Sequence, residues 1–160
     1  MNKASKLSLL VLILLMVTAC TKNIVRNDDG SVAVETTISQ QQLQEVITSA
    51  IADPLVKNVT VSLQSGYVLV SGERQRLNDA SKTDSLTFRL DLSVGSGHPA
   101  AAISNAQIDG VAIEQNRVDN WNQTIANRLS NFGGRNENAT LQAINITPES
   151  VIMTWNVARQ

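Results

Sequence analysis

Cysteine occurs once in the 160 residues, at position 20, so no disulfide forms within the chain and the folded part must stand on its core. Histidine also occurs once, His98, inside Gly95-Ser96-Gly97-His98-Pro99. A zinc-type site needs further imidazole or thiolate ligands, and a serine hydrolase needs a base beside a nucleophile elbow, a motif this sequence lacks. His98 therefore reads as a turn residue, and neither metal nor cofactor is expected. The same stretch lacks the Gly-Lys-Ser/Thr that completes a phosphate loop. Aromatics are scarce: Tyr67, Phe88, Trp121, Phe132 and Trp155. Four of them fall on apolar stripes, which leaves little for stacking sugars or single-stranded nucleic acid. Basic residues do not outnumber acidic ones, 13 against 14, so no nucleic-acid partner is expected. The carboxylates are scattered, and no pair singles itself out for acid–base chemistry, so no enzyme is expected. Long apolar runs are missing too. The longest, Leu9–Val17, falls well short of the roughly 20 residues that a membrane-crossing helix needs.

What is present at the N-terminus is ordered. Lys3 and Lys6 precede that run, and Val17-Thr18-Ala19-Cys20 follows it. A basic start, a short apolar core and a small-residue cleavage site make a secretory signal. The final four residues resemble the box of bacterial lipoproteins, aliphatic, hydroxylated or small, Ala or Gly, then Cys. That resemblance implies cleavage after residue 19 and diacylation of Cys20, so the membrane is the expected partner through its acyl chains. Removing Lys3 and Lys6 leaves 11 basic against 14 acidic residues, a net charge of −3. The anchor, rather than overall charge, must then hold the protein at a membrane. The expected place is the extracytoplasmic side of the cell envelope. Thr21 is not the aspartate that retains many lipoproteins at an inner membrane, so an outer membrane, where one exists, is permitted.

Three segments follow: 1–19 as signal, 20–37 as acylated N-terminus and tether, and 38–158 as one domain. Residues 21–30 are polar, with Asn27-Asp28-Asp29-Gly30 as a turn. Ser31–Ile38 alternates weakly and reads as an edge strand. Ser39 with Gln42 forms a capping box, and Leu43, Val46, Ile47, Ala50 and Ile51 follow at helical spacing until Pro54. Val59, Val61 and Leu63 alternate with polar residues, and Ser65-Gly66 turns the chain into Tyr67–Glu73. That strand is apolar on both faces at its middle, which predicts cover on both. Residues 74–84 read as a loop. Leu86, Phe88, Leu90, Leu92 and Val94 then share one face of a long strand. The strand after it slips phase near Asn105 and Asp109-Gly110, which predicts a bulge or bend. Val118, Trp121, Ile125, Leu129 and Phe132 mark a second helix over about 117–132, with Gly133-Gly134 as a left-handed stop. A hairpin around Thr147-Pro148-Glu149-Ser150 ends the chain.

The expected class is α+β: a long curved antiparallel sheet packed against two helices, in the order helix, four strands, helix, two strands. This arrangement resembles the small bacterial YceB-like and LmeA-like lipoproteins, on the lipobox, the Ser39–Val46 helix start, the Val59–Glu73 strand pair, the long strand and the final hairpin. The resemblance covers Ile38 to Val157. It implies half of a tubular lipid-binding module, with a lipid or other apolar ligand as partner. Should the core open as a groove, Val46, Ile47, Phe88, Leu90, Trp121 and Ile125 would line it; in a closed core they are packing. The alternative is an envelope protein–protein adaptor or a structural lipoprotein without a cavity, offering an edge strand or the loop at 134–138.

Overall fold

The computed structural model describes residues 22–27, 30–133 and 138–158; the segment 1–19 expected to be a signal, Cys20, and all but the last residue of the loop at 134–138 lie outside the described residues. The chain is mixed α and β, mostly strand, with two antiparallel sheets and two helices. Its elements are β1 (Lys22–Arg26), β2 (Val32–Ser39), α1 (Gln40–Ile51), β3 (Val56–Gln64), β4 (Tyr67–Gln75), β5 (Thr83–Gly95), β6 (His98–Ile108), β7 (Val111–Ala112), α2 (Gln115–Ser130), β8 (Ala139–Ile146) and β9 (Ser150–Val157). One sheet runs β1-β2-β9-β8 and the other β3-β4-β5-β6-β7. The strands are thus divided between two sheets where one was expected.

Both helices follow from their stripes. Ser39 accepts a hydrogen bond from the Gln42 amide at 3.2 Å, and Gln42 Oε1 accepts one from the Ser39 amide at 2.9 Å, completing the capping box. Leu43, Val46, Ile47, Ala50 and Ile51 are buried. The helix stops before Pro54, at Ala52, whose left-handed conformation (φ 48°) turns the chain. On α2, Val118, Trp121, Ile125 and Leu129 are buried. Its end differs from expectation. Asn131 keeps right-handed geometry, a 3-10 turn over Asn131–Gly133 follows, and Gly133 is not left-handed; Gly134, the other residue of the expected stop, lies outside the described residues. Gly133 is needed for another reason. A Cβ there would lie 2.6 Å from the Trp155 ring.

Long-range pairing corrects the reading of the N-terminal segment. Within the segment assigned to the acylated N-terminus and tether, 20–37, Lys22–Arg26 and the residues from Val32 on are strands of one sheet, since β1 pairs with β2 over Lys22↔Thr36 to Arg26↔Val32. Nor is β2 an edge, because its other side pairs with β9 along its whole length. Its small residues, Ala33, Thr36 and Thr37, suit a strand flanked on both sides, but nothing local in the sequence announces the neighbours.

The sheets meet at β8. Its free edge receives two hairpin tips of the other sheet, with the Gly66 amide donating to Ile146 O at 3.0 Å and the Leu141 amide donating to Gly97 O at 2.8 Å. Gly97 has φ 78°, and a Cβ on it would press on the Thr140 methyl at 2.7 Å. An otherwise open edge is covered in this way. One continuous core joins both sheets to both helices, from Ile38 and Leu43 through Val68 and Leu90 to Met153 and Trp155. On β5 the buried stripe covers Leu86, Phe88 and Leu90; Leu92 is half-buried and Val94 exposed. The expected phase slip falls at Asn105 (φ 54°), opposite a register shift between Thr87 and Arg89, while Asp109-Gly110 turns β6 into β7.

Candidate functional site

Val46, Ile47, Phe88, Leu90, Trp121 and Ile125 are all buried and belong to one core. The structure brings the six together as packing, with the Phe88 and Trp121 ring centroids 5.9 Å apart. The concave surface lies on the other side of the sheet.

Strand alternation places it there. Val68 and Val70 of β4 point inward, so Tyr67, Leu69 and Ser71 point outward. Among the described residues no element covers them as the two-sided apolar pattern predicted, and Leu69 is 44% exposed. Across the β4–β5 register Leu69 faces Arg89 and Ser71 faces Thr87. The bulge at Asn105 bends β6 beside them, and Gln107 donates to Thr87 Oγ1 at 3.3 Å. Together these residues line an open groove of about 570 Å³, with Val70 and Phe88 in its floor. That volume lies within the usual range of small-molecule sites.

Arg89 is the groove's fixed charge. Its guanidinium sits 4.1 Å from the centroid of the Tyr67 ring and bonds Asp91 through Nε at 2.9 Å and Nη2 at 2.6 Å. A planar cation stacked on one side and held by a two-point carboxylate contact has few ways to turn. These hydrogen bonds hold the Asp91 carboxyl below its ordinary range and raise Arg89. Both side chains are about two-fifths exposed, so the pair orients the groove more than it stabilises the fold. What the arrangement offers is an apolar strip, Tyr67 to Leu69, bordered by one oriented cation and by amide and hydroxyl groups. Nucleophile and base are not paired in it.

A second polar cluster serves the fold. Asp53, 11% exposed, accepts from Arg117 Nη2 at 2.7 Å, from Arg74 Nε at 3.1 Å and from the Leu55 amide at 3.0 Å. It ties the end of α1 to β4 and to the start of α2. Burial pushes its carboxyl up, but the Leu55 amide and the two guanidiniums outweigh this and hold it below its ordinary value. A lowered carboxylate stabilises the fold above the ordinary aspartate range and loses that contribution as pH falls through its folded value. Asp53→Asn should therefore cost about 2 kcal/mol at pH 7, the scale of hydrogen bonds to a charged group, and less in acid. Urea unfolding at pH 7 and pH 3 checks this; an equal loss at both would contradict it.

His98 is exposed at the first position of β6, beside the Ser96-Gly97 turn. Among the described residues no group of three His, Cys, Asp or Glu side chains is placed to hold a metal ion, and no helix is long and apolar enough to cross a membrane. Compared with protein-family models, curated proteins and solved structures, the chain matches none.

Sequence reasoning missed Tyr67, Leu69 and Arg89 as a group. The signal in the sequence was the apolar residue on the outward phase of β4; the cation opposite it is set by the β4–β5 register.

Proposed function

We propose that the protein is a non-enzymatic lipoprotein of the cell envelope, anchored on the extracytoplasmic side of a membrane through acylated Cys20, and that its domain binds a lipid or other apolar ligand. The anchor rests on Val17-Thr18-Ala19-Cys20 after a short apolar run. The observation that carries the ligand is the uncovered groove along Tyr67, Leu69 and Arg89. An acyl chain or apolar ring would lie along Leu69 and Tyr67, and an anionic or carbonyl group would meet the Arg89 edge. The 13-residue β5, the bulges in its sheet and the helices on one face support the finer reading, half of a tubular lipid-binding module with a strongly curved sheet. Burial of Val46, Ile47, Phe88, Leu90, Trp121 and Ile125 moves the ligand from the core to the outer face in this proposal.

Native mass spectrometry of residues 21–160, purified from a bacterial host and then offered phospholipid vesicles, tests it. The expected result is a bound lipid released on denaturation. Leu69→Asp should reduce uptake at least tenfold while leaving Tm within a few degrees, since an exposed side chain contributes little to folding. An apo mass that takes up nothing would sink the ligand reading. The envelope adaptor, favoured by the openness of the same groove, would then stand.

A further inference from the structure

We infer that β1 is the membrane-facing edge of the domain, lying in the headgroup layer of the bilayer that holds Cys20. The inference rests on the reading of Cys20 as the acylated residue. Only Thr21 separates that residue from Lys22, the first residue of β1. A residue spans at most about 3.6 Å, so the Lys22 backbone stays within about 7 Å of the anchored cysteine. The headgroup region on each side of a bilayer is of the same depth, about 5–7 Å. With β1 paired into a sheet, no slack chain remains to lift the domain away.

The chemistry of the strand fits that place. Ile24 and Val25 are 66% and 56% exposed, two adjacent aliphatic residues on opposite faces of an edge strand. The outer edge of β1 has no strand partner among the described residues. Such an edge invites pairing with other chains unless something covers it. In the sequence Lys22 and Arg26 flank the apolar pair with positive charge, suited to lipid phosphates, and the acids Asp28 and Asp29 come later in the chain than all of them. Glu35, on β2, is exposed and stands at the register position of Asn23, not of Ile24. The same charges argue against a second copy. An antiparallel β1–β1 pair centred on Ile24 would set Lys22 against Arg26, like charges directly opposed.

The test uses the full chain, acylated in a bacterial host and reconstituted into phosphatidylethanolamine/phosphatidylglycerol vesicles. Lipid occupies the thiol of Cys20, so a cysteine introduced as Val25→Cys, or as Leu77→Cys at a position 83% exposed on the loop between β4 and β5, takes an environment-sensitive fluorophore alone. The label at 25 should be blue-shifted and quenched by brominated lipid, and the label at 77 should remain aqueous. A twelve-residue Gly/Ser insertion between Thr21 and Lys22 should leave the label at 25 in the bilayer. Adding Ile24→Asp to that insertion should raise its aqueous fraction at least tenfold. The inference is overturned by a label at 25 as aqueous as at 77 in the acylated chain, or by release on insertion alone, which would reduce the contact to a short leash. An N-terminal peptide without diacyl mass would overturn the lipoprotein reading itself, and the docking with it.

Discussion

Leu90→Asp should leave no cooperatively folded protein at 25 °C. Leu90 has no exposed surface, lies mid-strand on β5 opposite Val68 and Ile103, and belongs to the core that links both sheets. A carboxylate there would lose its hydration without a cation or amide to replace it, because the neighbours on that face are apolar. Truncation alone, Leu90→Ala, costs about 2–5 kcal/mol through lost transfer energy and the cavity left behind. Whole-domain stability is only about 5–15 kcal/mol, so adding an unpaired buried charge to that loss exhausts it. Circular dichroism and urea titration of both variants check the expectation. A folded, monomeric Leu90→Asp protein would mean that this side chain reaches water.

The elements that were legible in the sequence share one property: their evidence is local. The Ser39/Gln42 box, the stripe from Leu43 to Ile51 and the alternation from Leu86 to Leu90 each complete their signal within a few turns or pleats. The β8–β9 turn is equally local, with Thr147 Oγ1 accepting from the Glu149 and Ser150 amides. What escaped depends on partners distant in the chain. β2 becomes internal only because β9, more than a hundred residues later, pairs with it, and Lys22–Arg26 becomes a strand only because β2 is already held. Division into two sheets was unreadable for the same reason. It follows from β2 pairing with β9, far along the chain, while β3 to β7 pair in succession.

The candidate groove was half legible. Apolar residues on both phases of β4 showed that its outer face was unusual, but cover and exposure give the same pattern in sequence. Arg89 sharpened the choice too late, since its pairing with Leu69 depends on register. The core residues carried the opposite ambiguity. A stripe that could line a ligand groove and one that packs against a helix are identical until the partner surface is known, and here Trp121 and Phe88 pack against each other.

Gly133→Ala should be nearly as damaging as a core truncation, although it adds a single methyl at the surface end of a helix. The added Cβ would meet Cε2, Cζ2 and Cη2 of Trp155 at 2.6–2.7 Å. Trp155 is buried in β9 between β2 and β8 and has no room to swing aside. The alternative is to displace the 3-10 turn, which would take with it the Phe132 carbonyl that accepts from Thr36 Oγ1 at 3.4 Å. Overpacking of this kind costs about 1–3 kcal/mol, and contact with three atoms of a rigid ring puts it at about 3. The backbone of Gly133 is not in the left-handed region, so strain in φ is not the cause. A double-mutant cycle separates the two explanations. All three crowded atoms belong to the six-membered ring of the indole, and Trp155→Phe shrinks the side chain there. Trp155→Phe alone should destabilise by leaving a cavity, but the loss in the double variant with Gly133→Ala should fall short of the sum of the two single losses by about 1 kcal/mol or more. Strictly additive losses would place the cost in the backbone of the turn, and Gly133 would then be required for its conformation and not for the approach of the ring.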